Sequence, residues 1–148
     1  MIIEQDLQLA KGWRLLIQAT MVTMIVLGAM MLLTPELGEK IFYFVYYRTI
    51  DPPVDFSDEA QRYIRFTNAI LGAVLIGWMI LSYRLLAVRH DVAFATRQAL
   101  MLSFGCWFLI DTTFSAFHGI WGNVALNVLV AIGILLPLQL SGRTGTAR

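Results

Sequence analysis

The sequence predicts an all-α integral membrane protein, a bundle of four transmembrane helices with an interfacial aromatic segment on the outer side. Of 148 residues, 58% are hydrophobic and 14% charged, whereas soluble domains carry roughly 25% charged residues. Four stretches, Leu15 to Leu33, Tyr63 to Tyr83, Ala99 to Phe117 and Val124 to Leu140, approach the roughly 20 apolar residues that cross a hydrocarbon core about 30 Å thick. Turn and charge signals then place helices at about 13–34, 58–84, 98–118 and 121–140, in one transmembrane domain over 1–148 with an outer loop at 35–57.

The first stretch follows Lys11 and Arg14, as the core of a signal peptide would. Its apolar run is longer than such a core, and no small-x-small cleavage pattern precedes Thr34 and Pro35, so it reads as a retained anchor. Pro35 is expected to close this helix. From Glu39 to Ile50 the loop holds Phe42, Tyr43, Phe44, Tyr46 and Tyr47, five aromatics in six positions. Rings with polar tips favour the headgroup level, so a membrane-surface helix is expected, with docking of a partner as the sharper alternative. Asp51-Pro52-Pro53 ends that segment, and Ser57 reads as the N-cap of the second span, with Asp58 and Glu59 in its first turn.

That second span carries Ala69, Ala73 and Gly77 at spacing four, a small-residue stripe open to another helix. The third and fourth spans are joined by about six residues, His118 to Asn123, and so should be antiparallel neighbours. Of the eleven basic residues, Lys11, Arg14, Arg84, Arg89, Arg97, Arg143 and Arg148 fall on one side, against Lys40, Arg48, Arg62 and Arg65 on the other. Excess positive charge marks the cytoplasmic face, so both termini are expected in the cytoplasm.

A formal net charge of +1 gives no reason to expect nucleic acid. The lone Cys106 lies in an apolar run and reads as a buried inert thiol. No metal-ligand spacing, nucleophile elbow or phosphate-binding glycine loop is present. His90 and His118 belong to opposite ends of the bundle and do not suit a bis-histidine haem, so the cofactor is left unknown.

Asp111 is the residue that stands out, because a carboxylate inside a span costs about 2.5 to 3.5 kcal/mol on insertion scales. Eight residues from Gly119 place it about 12 Å deep. Trp107, Asp111, Ser115 and His118 share one helical stripe; Arg65, Asn68 and Gly72 share another; Asn123 and Asn127 begin the last span. The economical expectation is one outer-half cluster of Arg65, Asn68, Asp111, Thr112, Ser115, His118, Asn123 and Asn127, with Arg65 leaning inward to pair with Asp111.

Two readings of that cluster remain open from sequence. The groups satisfy one another, or they line an outward-facing pocket for a small molecule, an ion or a lipid headgroup. A noncatalytic pocket protein is the first expectation. A small accessory subunit of a larger membrane complex is the alternative, and a proton-coupled carrier or membrane enzyme using Asp111 is the second alternative. Asp111, Ser115 and His118 also have the side chains of a hydrolytic triad, but a single helix stripe is a poor geometry for one. The bilayer is the expected partner, with room for a membrane-protein partner or a homo-oligomer.

Tyr63-Ile64-Arg65-Phe66, Gly72 to Trp78, Trp107 to Ser115, Gly119 to Val128 and Pro137-Leu138 carry a likeness. Through them the chain resembles, from about Asp58 to Leu140, a group of short, uncharacterised bacterial four-helix membrane proteins. The resemblance implies a bacterial inner membrane and four helices, and no particular reaction.

Overall fold

A computed structural model describes residues 7–8, 11–51, 56–87, 91–92 and 94–140. Among these residues five α-helices follow one another: α1 Lys11–Leu33, α2 Pro35–Tyr47, α3 Asp58–Ala87, α4 Phe94–Phe117 and α5 Trp121–Leu140. All but α2 are long and apolar enough to cross a membrane, so this is a multi-pass helical membrane protein in contact with lipid. One short pairing joins them: β1 (Leu7–Gln8) lies antiparallel to β2 (Asp91–Val92), with Leu7 opposite Val92. Of the basic residues counted above, Arg89, Arg143 and Arg148 lie outside the described residues, as do His90, Pro52 and Pro53.

The tightest packing is between α1 and α3, and glycine makes it possible. On α1 the buried residues Ile17, Met21, Met24, Gly28 and Met31 recur at steps of four and three, one seam facing the bundle. At Gly28 a Cβ would sit 2.8 Å from the Gly72 carbonyl oxygen, and at Gly72 one would sit 2.5 Å from the Gly28 carbonyl. Only two facing glycines permit that approach. The Ala69, Ala73 and Gly77 stripe does not serve this purpose: Ala73 and Gly77 are exposed, and nothing lies within 4 Å of a Cβ built at Gly77. The seam selects Gly72 because it faces the α1 stripe, whereas the stripe of the other three turns away from it toward Ala73 and Gly77.

α4 and α5 form an antiparallel pair, and α1 links it to α3 by packing on α5. The α4–α5 turn is only His118 to Ile120, shorter than expected, because Gly119 takes a left-handed conformation (φ 72°) and the Ile120 N–H returns to the Ser115 carbonyl at 2.8 Å. Between α3 and α4 the contact is made by rings: Trp78 stacks on Phe104 at 4.6 Å and meets Trp107 edge-on at 6.0 Å.

The terminal half of the bundle is densely filled by Ile17, Met21, Met79, Leu86, Leu100, Phe104, Ile134 and Leu138. Two arginines close this end. Arg14 Nη2 donates to the Leu86 carbonyl at 2.9 Å, and Arg97 donates to the carbonyls of Leu138 (2.6 Å) and Gln139 (3.2 Å). Each satisfies the last carbonyls of a neighbouring helix and opposes its dipole.

At the other end Pro35 opens α2 instead of merely closing α1. Thr34 alone separates the two helices, its hydroxyl and N–H both turned back to the Met30 carbonyl, and proline at the first helical position forfeits no hydrogen bond. α2 then crosses the bundle end: Gly38 rests on Met31 of α1, and the Val45 backbone sits over Gly122 of α5. The aromatic segment is thus a helix, with Phe42 and Tyr43 partly covered and Phe44, Tyr46 and Tyr47 exposed. Ser57 caps α3 by accepting the Ala60 N–H at 3.3 Å. Cys106 is exposed on α4, facing outward from the bundle and not into it.

Alanine at Gly28 or Gly72 forces backbones apart and should cost about 1 to 3 kcal/mol, read as a lower melting temperature of the purified chain. Gly77→Ala should be neutral or mildly stabilising, since it gains helix propensity in open space. Equal losses at all three glycines would show that the α1–α3 contact is not where the structure places it.

Candidate functional site

Asp111 lies about 9 Å from the C-terminal end of α4, in the half of the bundle covered by α2. The sequence sets Thr112 and Ser115 beside it on α4, and Asn123 and Asn127 one turn apart on the antiparallel α5. The short turn brings these two faces into register. Asn123 Nδ2 donates to Asp111 Oδ1 at 3.2 Å and to Ser115 Oγ at 2.7 Å. Asn127 Nδ2 donates to Asp111 Oδ2 at 3.0 Å and to Thr112 Oγ1 at 3.3 Å. Ser115 Oγ adds a longer contact to Oδ1 at 3.4 Å. Each amide spends both its hydrogens on α4, and a carboxylate can only accept, which fixes the orientation of both amides. Ser115 and Asn127 are each 2% exposed.

Five of the eight residues expected to converge therefore do so, and three do not. Arg65 does not pair with Asp111. Its Nε donates to Glu39 Oε1 at 2.9 Å, and its Nη1 lies 3.7 Å from Glu36 Oε1. The reason is α2: as a helix it presents Glu36 and Glu39, one turn apart, to the start of α3, and Glu39 is 8% exposed. The sequence predicts a helix on the membrane surface here, and nothing in its spacing says that the helix starts at Pro35 and turns these acids toward Arg65. His118 is exposed, bonded to the Phe114 carbonyl of its own helix at 2.9 Å, and takes no part. Asn68 is buried, yet it lines a separate recess of about 310 Å³ between α2 and α3, with Glu39, Tyr43 and Phe56. Among the described residues its amide has no hydrogen-bond partner.

Asp111, Asn123 and Asn127 line a cavity of about 450 Å³ that all five helices enclose. α1 contributes Met24, Leu27 and Met31; α3 contributes Leu71, Val74, Leu75 and Trp78; α4 adds Trp107, and α5 adds Leu126 and Val130. Phe42 and Tyr46 of α2 cover it. Its floor is the Trp78–Trp107 contact, below which the dry core begins. Leu71 and Val74, 50% and 62% exposed, open it on the lipid-facing side of α3, and Tyr46, 45% exposed, borders it at the α2 end. The α2 cover was not legible as such, although Glu39, Phe42, Tyr43 and Tyr46 already recur at helical spacing.

The Tyr46 phenol is held above its ordinary range by burial first and by the Asp111 charge second, which places that hydroxyl within electrostatic reach of the carboxylate. Tyr43 is raised by burial first and then by Glu39, with Arg65 pulling the other way. Among the described residues no group of acidic, histidine or cysteine side chains could hold a metal ion.

The fold and this site define a four-span helical membrane protein with an acidic, aromatic-walled cavity in one half of the bundle. No family model, curated protein or solved structure matches the chain.

Truncating Asn127 to alanine leaves Asp111 Oδ2 and Thr112 without their donor and should destabilise the fold by about 1 to 3 kcal/mol. In a double-mutant cycle Glu39→Gln and Arg65→Gln should be strongly non-additive in melting temperature. Arg65→Gln and Asp111→Asn should add; coupling between those two would contradict the observed pairing. Spectrophotometric titration should also find Tyr46, isolated as the difference from Tyr46→Phe, ionising at lower pH in Asp111→Asn than in the unsubstituted chain, though still above free tyrosine, because burial remains.

Proposed function

We propose that this chain is a noncatalytic bacterial inner-membrane protein whose outer-half pocket holds a small molecule or a lipid headgroup. The observation that carries the reading is the 450 Å³ cavity with Asp111 on its wall. Its size is that of ordinary ligand sites, and an ionisable group within a span usually marks function. Mutual satisfaction among Asp111, Asn123 and Asn127 accounts for the α4–α5 contact but leaves the space in front of it unexplained. The basic residues support both termini in the cytoplasm, with α2 and the cavity on the outer side: Lys11, Arg14, Arg84 and Arg97 all sit at the terminal end. The resemblance noted above supports the bacterial membrane. The open α3 face around Ala73 and Gly77 favours, as a second reading, a subunit that packs against another membrane protein.

Native mass spectrometry of the full chain released from mild detergent should show one bound small molecule or lipid per chain. Val74→Trp, which fills the exposed mouth, should remove that species while helicity is unchanged. A chain that carries nothing, or a bound species indifferent to Val74→Trp, would rule the pocket reading out, and a stoichiometric copurifying protein would favour the subunit reading. Fusions at residue 148 should be active with a cytoplasmic reporter and silent with a periplasmic one; the reverse would invert the orientation.

A further inference from the structure

We propose that the ligand is a protonated lipophilic amine, its ammonium group placed against Asp111 and its apolar body lying between α3 and α4. The inference rests on the pocket reading above and adds the chemistry of the occupant. Three features of the cavity converge on it.

The first is an unbalanced charge. Asp111 is surrounded by donors that are all neutral, the amides of Asn123 and Asn127 and the hydroxyl of Ser115. Among the described residues no lysine, arginine or histidine is paired with it, and Arg65 is committed to Glu39 and Glu36. A carboxylate offers about four lone-pair positions. Oδ1 accepts two hydrogen bonds and Oδ2 accepts one, which leaves a position on Oδ2 for one further N–H. An ammonium N–H would occupy that position and also supply the missing positive charge.

The second is the wall around it. Phe42, Tyr46, Trp78 and Trp107 line the same cavity. Aromatic faces attract a cation, and the attraction grows when the site excludes water. Asp111 lines the cavity together with these rings, so a cation held against the carboxylate would be enclosed by the same aromatic wall.

The third is access. On the α3 side the cavity is lined by exposed apolar side chains, Leu71 and Val74, which face hydrocarbon. A fully hydrated cation would have no route of matching polarity there, whereas an amphiphilic amine is already dissolved in the bilayer. A divalent metal ion fits the donor set poorly: among the described residues Asp111 is the one acidic side chain on this wall, and the Asn123 and Asn127 amides turn their N–H groups toward it. A neutral lipid chain would fill the apolar walls and leave Asp111 unanswered. An anion would be repelled.

The test uses the full chain in phosphatidylcholine nanodiscs, with empty nanodiscs as the blank for membrane partitioning. Isothermal titration calorimetry compares N,N-dimethyloctylamine, octanol and octanoate at neutral pH. The amine should bind at least about tenfold more tightly than octanol, and octanoate should show nothing above the blank. Asp111→Asn should erase most of that preference while leaving octanol affinity within about twofold. Trp107→Leu, which keeps an apolar wall, should weaken the amine several-fold more than octanol. If Asp111→Asn does not fold, the ranking of the three probes on the unsubstituted chain and on Trp107→Leu still decides the matter. Equal affinity for amine and octanol, or octanoate as the best binder, overturns the amine proposal. In that case octanol binding that Val74→Trp abolishes would leave the pocket itself standing, whereas no binding by any probe would remove the pocket reading as well.

Discussion

Two backbones touch at Gly28 and Gly72, and the arrangement of the bundle depends on that contact. Lipid gives helices no hydrophobic reason to associate, so close backbone approach and interhelical hydrogen bonds must do so. The α1–α3 pair uses the first means and the α4–α5 pair uses the second, through Asn123 and Asn127. α1 is drawn tightly to α3 at this level, whereas α3 approaches α4 less closely and meets it through aromatic rings. Below the rings the helices close on a continuous apolar core; above them a gap remains and becomes the cavity. The site is therefore a consequence of unequal helix spacing.

The two ends of the bundle solve the problem of helix termini differently. At the terminal end Arg14 and Arg97 reach across to the last carbonyls of α3 and α5, so two charged side chains finish the helices. At the opposite end a whole helix is laid over the opening, tied by Gly38 to α1, by the Glu39–Arg65 ion pair to α3 and by Val45 to α5. One end is sealed by two side chains and the other by thirteen residues of backbone.

The four spans, the capped start of α3 and the acidic level at Asp111 could be read from hydropathy, turn chemistry and helical spacing, because those signals are local. What escaped the sequence was which polar stripes meet. Asp111, Thr112, Ser115, Asn123 and Asn127 come together because a short turn joins their helices, and short connections are predictable. Arg65 was misassigned because its partner depended on α2 folding back over the bundle, a choice made at Thr34 and Gly38 by packing that no periodicity reports. Gly72 was grouped with polar residues on spacing alone, while its importance comes from a glycine on another helix. The stripe at Ala69, Ala73 and Gly77 had the better pattern and the lesser role.

Among the described residues every hydrogen-bond donor to Asp111 belongs to α4 or α5, and the most distant, Asn127, follows it by only sixteen residues. During synthesis the carboxylate can thus be clothed in donors by its own hairpin as soon as α5 has formed, without waiting for α1 and α3 to dock against it. A charge that would burden a lone helix in hydrocarbon is thereby offset within one hairpin.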